Sequence, residues 1–153
     1  MVTTMRYAPE GAVFVTVHSA EPPSDEEWTR YLEVSKTHFG SLRASLIITD
    51  GGGPNSRQRA LLTERYPEFG PVPVAVISDS PLTRGIVTAL HWLGKNIRAY
   101  RPTDLAGAFA YLSVPVPDRE ALLHRVAMLR SELRGINAEE RASAVASTRQ
   151  RNG

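Results

Sequence analysis

Short runs dense in β-branched and aromatic residues alternate along this chain with longer stretches whose apolar positions recur every three to four residues. Residues 12–18, 42–49 and 72–78 are runs of the first kind and read as strands, the first of them buried on both faces. Residues 2–7 are a shorter extended candidate, and the turn signal Pro9-Glu10-Gly11 pairs them with 12–18 as a hairpin. Residues 97–100 supply a short last strand. Ser24 stands as an N-cap with Glu27 as its capping-box partner. Trp28, Tyr31, Leu32, Ser35 and Phe39 then follow at helical spacing, predicting a helix over 25–38 that Gly40 stops. A second helix leads from the 50–56 loop to about Tyr66. A third opens at Asp79-Ser80-Pro81 and carries an apolar stripe of Leu82, Ile86, Ala89, Leu90 and Leu93 before Gly94. Residues 104–112 make a short helix with Leu105, Phe109 and Leu112 on one side. Residues 118–134 make a strong one, with Leu122, Val126, Leu129 and Leu133 on one face and Gly135 as its end. Residues 136–153 offer no anchor for a core and are expected to form a loosely ordered tail or a marginal helix.

Strands alternating with helices predict an α/β fold: a mainly parallel sheet of four or five strands, an N-terminal antiparallel hairpin and crossover helices. The expected domain spans 1–135, a core over 1–112 plus the additional helix at about 118–134. The stripe on that helix must be covered, either by the chain's own sheet or by a second copy in a homodimer.

At 153 residues the chain has the length of one domain. It contains no Cys, which excludes disulfides, zinc–thiolate centres and cysteine nucleophiles. Its 18 Lys and Arg against 16 Asp and Glu leave a net charge of only +2, no basis for a nucleic-acid partner. No apolar run reaches the ~20 residues of a membrane span, and residues 1–10 lack the apolar core of a signal peptide. The expectation is a cytoplasmic protein without membrane insertion. The histidines His18, His38, His91 and His124 show no metal-site spacing, so no metal and no cofactor is implied; His18, at a strand end, is the one well placed for function. Trp28 and Trp92 read as core anchors. Arg119, Arg125, Arg130 and Arg134, interleaved with Glu120 and Glu132, read as a solvated face.

Ligands of open α/β sheets gather at the carboxyl ends of the strands. Three such ends are readable here: Asp50 with its glycines, Ser78-Asp79-Ser80, and Arg101 after the last strand. The first is the richest. Gly51, Gly52 and Gly53 open backbone conformations closed to other residues, and Asn55-Ser56 leads into a helix with Arg57 and Arg59 in its first turn. Free N–H groups and two arginines suit an anion. The spacing is neither a P-loop nor a dinucleotide fingerprint, and a plain turn with an Asn or Ser cap accounts for the same residues. Asp79 and Ser80 fit a helix cap, and without a nucleophile elbow no catalytic set can be assembled.

The element order over residues 1–112, with residues 46–50 as a strand ending in Asp and Asn55-Ser56 at the next helix start, resembles the STAS domain, the fold of small anti-sigma-factor antagonists. In that family a Ser or Thr following an Asp at this helix start is phosphorylated by a partner kinase. Here Asn55 stands for that Asp, and Arg57-Gln58 replaces the residues after the serine. The resemblance implies a non-enzymatic signalling module binding a regulatory protein, a kinase or an anti-sigma-like factor, through residues 50–59, with Ser56 as phosphosite. The alternative is a small-molecule, nucleotide or anion binder using the same loop. Asp50, Ser78 and Arg101-Pro102 also lie where response-regulator receivers carry functional residues. The acidic pair of that family is missing and Arg101 stands where it needs Lys.

Overall fold

The computed structural model describes residues 2–152; Met1 and Gly153, the ends of the expected domain and tail, lie outside it. Strand β1 (Met5–Glu10) pairs antiparallel with β2 (Val13–His18). The hairpin turns at Gly11, whose φ of 57° only glycine adopts freely, so Pro9 and Glu10 belong to the strand rather than the turn. Pro9 is tolerated because β1 is an edge strand. Strands β3 (Ala44–Thr49), β4 (Val74–Ile77) and β5 (Ile97–Tyr100) follow in parallel, giving a five-stranded sheet in simple chain order.

The crossover helices are α1 (Asp25–His38), α2 (Ser56–Arg65) and α3 (Pro81–Trp92). Each crossover steps to the next strand in the same direction, so right-handed connection puts all three helices on one face. Helices α4 (Leu105–Tyr111) and α5 (Val116–Arg151) come after the last strand and cover the other. Alternation sorts the strand residues accordingly. Val13, Val15, Val17, Leu46, Ile48 and Ile77 join the core beneath α4 and α5, while Phe14 turns to α1.

Ser24 caps α1 as expected, accepting a hydrogen bond from the Glu27 N–H at 3.1 Å. The Glu27 carboxylate does not close a capping box; it takes the Thr4 N–H at 2.9 Å and the Thr4 hydroxyl, stapling α1 to the start of the edge strand. On α5, Leu122, Leu129 and Leu133 are buried and Val126 partly so, packed against the β1–β2 side of the chain's own sheet. That covers the stripe within the chain, each leucine contributing roughly 1.5–3 kcal/mol of transfer free energy. Two ion pairs clamp the helix to β1, Arg6–Glu132 at 2.7 Å and Arg125–Glu10 at 2.9 Å.

Three sequence expectations are corrected here. The helix does not end at Gly135. It runs on unbroken to Arg151, because a glycine weakens a helix by about 1 kcal/mol without removing a backbone donor, and the residues beyond it are mostly good helix formers. From Arg141 onward it is exposed throughout. On α3, the only fully buried residue is Val87, and the two ends of the apolar stripe stand in solvent, with Leu82 75% and Leu93 76% exposed, while Leu90 is half-buried. Trp92 is likewise no core anchor: it is 81% exposed, whereas Trp28 is buried at 4%.

Candidate functional site

Helix α1 fills its share of the first face with Trp28, Tyr31 and Leu32, packed on Met5 and Phe14. Helix α2 cannot do the same. Its sequence is mostly polar, its only fully buried residue is Gln58, and Leu61 and Leu62 are partly covered. With α3 contributing Val87 alone, the sheet beneath the α2–α3 pair is under-filled. The result is an open cleft of about 510 Å³.

Its floor is the outward side of the sheet, with Ile47, Val74, Val76 and Ile97. Leu62 and Tyr66 wall one side and Ile86, Val87 and Leu90 the other. The cleft is polarised along the strands. Toward their amino ends it is lined by Phe39, Leu42, Phe69 and Val72, with Ser45, Lys95 and Asn96; toward their carboxyl ends it meets His18, Thr49, Gly51, Gly52, Gly53 and Arg59. Among the described residues no Asp or Glu lines it, and its charged residues are Arg59 and Lys95.

His18 closes β2 beside Thr49, its register partner on β3. It is only 3% exposed, and its Nδ1 has no hydrogen-bond partner among the described residues. Burial pushes its pKa down to about 4, so the ring is neutral at physiological pH. Position at a strand end was the sequence signal for this residue. Nothing in the sequence marked Ile47, Val76 or Leu62 as cleft residues, because a void is defined by the volume that neighbouring side chains fail to fill.

The glycine loop has structural work of its own. The Thr49 hydroxyl donates to the Gly52 carbonyl and accepts from the Gly51 N–H at 3.0 Å. Gly51 has a φ of 121°, and Gly52 lies so close under the 19–21 segment that a Cβ would overlap the carbonyl oxygens of Ser19 and Glu21. The Gly52 N–H donates to Ser19 O at 2.9 Å. Gly53 has open space around it.

Asn55 and Gln58 form a reciprocal capping box at the start of α2, with bonds of 2.8 and 3.0 Å. Buried Gln58 also donates to Pro23 O and to Asp25 Oδ1, and its own carbonyl accepts from the Trp28 indole at 2.9 Å. Ser56 is exposed at the first position of the helix. Arg57 and Arg59 do not converge. Arg57 pairs with Asp25, whose carboxyl is held below its usual range by hydrogen bonds from Gln58 and Arg57. Arg59 folds back on Pro54 O at 2.8 Å and borders the cleft.

Asp50, one residue past Thr49, turns to the opposite face and accepts from Arg130 at 2.8 Å. Arg130 thus stays partly solvated, as read from the sequence, and adds a tether to Asp50 that the sequence did not show. Ser80 caps α3 through the Thr83 N–H, and buried Ser78 accepts from the Ser80 N–H. Asp79 and Arg101 are exposed and enter none of the ion pairs of the described residues. Of the sequence candidates the structure therefore gathers Gly51, Gly52, Gly53 and Arg59 around the cleft, with His18, and leaves Asp50, Ser56, Arg57, Asp79 and Arg101 outside its lining. Among the described residues no helix is long and apolar enough to cross a membrane.

No family model matches the chain, and no curated protein matches it at a significant level. Among solved structures, the chain is similar to an uncharacterised protein of the DUF3478 family with a SpoIIAA-like fold from Shewanella loihica PV-4. The two share 14% identity at a TM-score of 0.51, over 71% of this chain and 91% of that one. The fold is thus SpoIIAA-like, the STAS-like architecture, extended by a long C-terminal helix.

Proposed function

We propose that this protein is a non-enzymatic binding module whose ligand is a small, largely apolar molecule held in the cleft between the sheet and helices α2 and α3. The observation that carries this reading is the cleft itself: about 510 Å³, floored and walled by aliphatic and aromatic side chains, within a fold otherwise packed on both faces. Such a volume suits a drug-sized molecule, and apolar walls with a few placed polar groups are the usual make-up of ligand sites. The glycine loop enters as part of the wall rather than as an anion cradle.

Trp28 lines the cleft and Trp92 does not, so a Trp92→Phe variant leaves one fluorophore beside the site. The expected result is that anilinonaphthalene sulfonate, a fluorescent apolar probe, binds this variant saturably and perturbs Trp28. Val76→Trp, which fills the floor, abolishes the probe signal while the circular dichroism spectrum stays unchanged. Probe binding that survives Val76→Trp overturns the reading.

A second reading is favoured by one observation, the exposure of Ser56 at the helix start. In it, phosphorylation of Ser56 switches binding of a regulatory protein through residues 50–59. Mass spectrometry of protein purified from its native cells tests it: phosphate on Ser56 supports the switch, and an unmodified Ser56 in every growth phase removes it.

A further inference from the structure

We propose that the cleft selects an amphipathic monocarboxylic acid, its carboxylate held at the carboxyl ends of the strands by Arg59 and His18 and its hydrocarbon body lying toward Phe69 and Val72. This rests on the binding reading above and adds the chemical class and the orientation of the ligand.

Three observations point the same way. First, the large apolar side chains gather toward one end of the lining. His18, Thr49, Arg59 and the glycines stand at the carboxyl ends of the strands, and Phe39, Leu42, Phe69 and Val72 toward the amino ends, where Ser45, Lys95 and Asn96 also border the cleft. A molecule polar throughout leaves its groups unpaired at the apolar end, and a hydrocarbon leaves the polar end unpaired; either mismatch costs free energy.

Second, among the described residues the lining carries cations and no carboxylate. Arg59 is half-buried, uses one guanidinium N–H on a neutral carbonyl, and enters none of the ion pairs of the described residues. A partly desolvated, uncompensated guanidinium favours an anion with planar, two-oxygen geometry. One such cation balances the single charge of a carboxylate.

Third, the buried His18 ring lines the same end with an Nδ1 that has no partner among the described residues. Buried polar atoms are almost always hydrogen-bonded, and the exceptions require an explanation. A neutral imidazole supplies one donor, which a carboxylate oxygen accepts without a second charge being buried.

Lys95 also lines the cleft, but it is exposed on the α3–β5 connection, near the amino ends of β4 and β5. It therefore defines the opposite orientation and serves as the control.

The test is displacement of anilinonaphthalene sulfonate from the otherwise unaltered protein by decanoate and by decanol, which share a chain and differ in the head group. Wild type is expected to prefer decanoate over decanol, and Arg59→Gln to lower that preference roughly tenfold, the loss of one charge-assisted hydrogen bond. His18→Gln weakens both competitors, and Lys95→Gln leaves the preference unchanged. Loss of preference in Lys95→Gln rather than Arg59→Gln overturns the orientation. Equal affinity of wild type for acid and alcohol overturns the ligand class, with the cleft still established if Val76→Trp abolishes probe binding. A probe that binds Val76→Trp as well as wild type removes the binding reading itself.

Discussion

Arg130 donates to Asp50 at 2.8 Å across 80 residues of sequence, tying the end of β3 to the middle of α5. The pair sits on the face opposite the cleft, so the strand-end acid that looks most like a ligand group is a tether for the C-terminal helix. Both side chains are substantially solvated, which screens their attraction. Asp50→Asn is therefore expected to lower stability by no more than about 1 kcal/mol in urea denaturation. It leaves displacement of the probe by decanoate unchanged. A large loss of decanoate affinity in this variant places Asp50 in the site and contradicts the geometry.

The triple glycine separates into residues with different physical duties. An alanine at position 52 drives its Cβ into the Ser19 and Glu21 carbonyl oxygens, and those belong to backbone that also receives the Gly52 N–H. Gly52→Ala is expected to cost about 1–3 kcal/mol, the usual range for forced overpacking. At position 53 an alanine Cβ meets nothing within 4 Å, and the φ there lies outside the left-handed region. Gly53→Ala is expected to be neutral or slightly stabilising through the unfolded chain. Thermal denaturation of the two variants side by side distinguishes a packing role for Gly52 from a loop that needs only flexibility.

The strands of the parallel sheet were legible because their β-branched density has no competing explanation, and α1 because Ser24 marks its start. The stripe of Leu122, Leu129 and Leu133 announced a covered helix, and the sheet covers it. Less visible were features set by partners far away in sequence. Arg57 reads as an anion ligand until Asp25 is found beside it, and Asp50 reads as a free carboxylate until Arg130 arrives from α5. Helix α3 has a clear stripe, but a stripe does not say whether the neighbouring surface is present to receive it. With α2 too polar to fill the gap, Leu82 and Leu93 stay in solvent while Ile86 faces the cleft.

Gly135 lies within α5 at an exposed position, and a Cβ there meets nothing within 4 Å. Gly135→Ala removes backbone entropy from the unfolded chain and exchanges the poorest ordinary helix former for the best. The expected gain is about 0.5–1 kcal/mol, read as a higher urea midpoint with an unchanged slope. A loss of stability indicates that the helix breaks at this residue in solution.

His18 makes the stability of the fold depend on mildly acidic pH. Its pKa in the folded protein is about 4, against 6.5 for an unperturbed histidine. The folded value is depressed, so below pH 6.5 the unfolded chain takes up a proton that the folded chain refuses until about pH 4. Folding stability therefore falls as the pH drops through this window, and at pH 5 the contribution of this one residue is about 2 kcal/mol less favourable than at pH 7. His18→Gln removes the titration while retaining a hydrogen-bonding side chain. The measurement is urea denaturation of both proteins at the two pH values. Wild type is expected to lose about 2 kcal/mol more than the variant on acidification. Equal losses mean that the imidazole is hydrated and free to protonate in the folded state, and that the polar end of the cleft is wetter than its burial indicates.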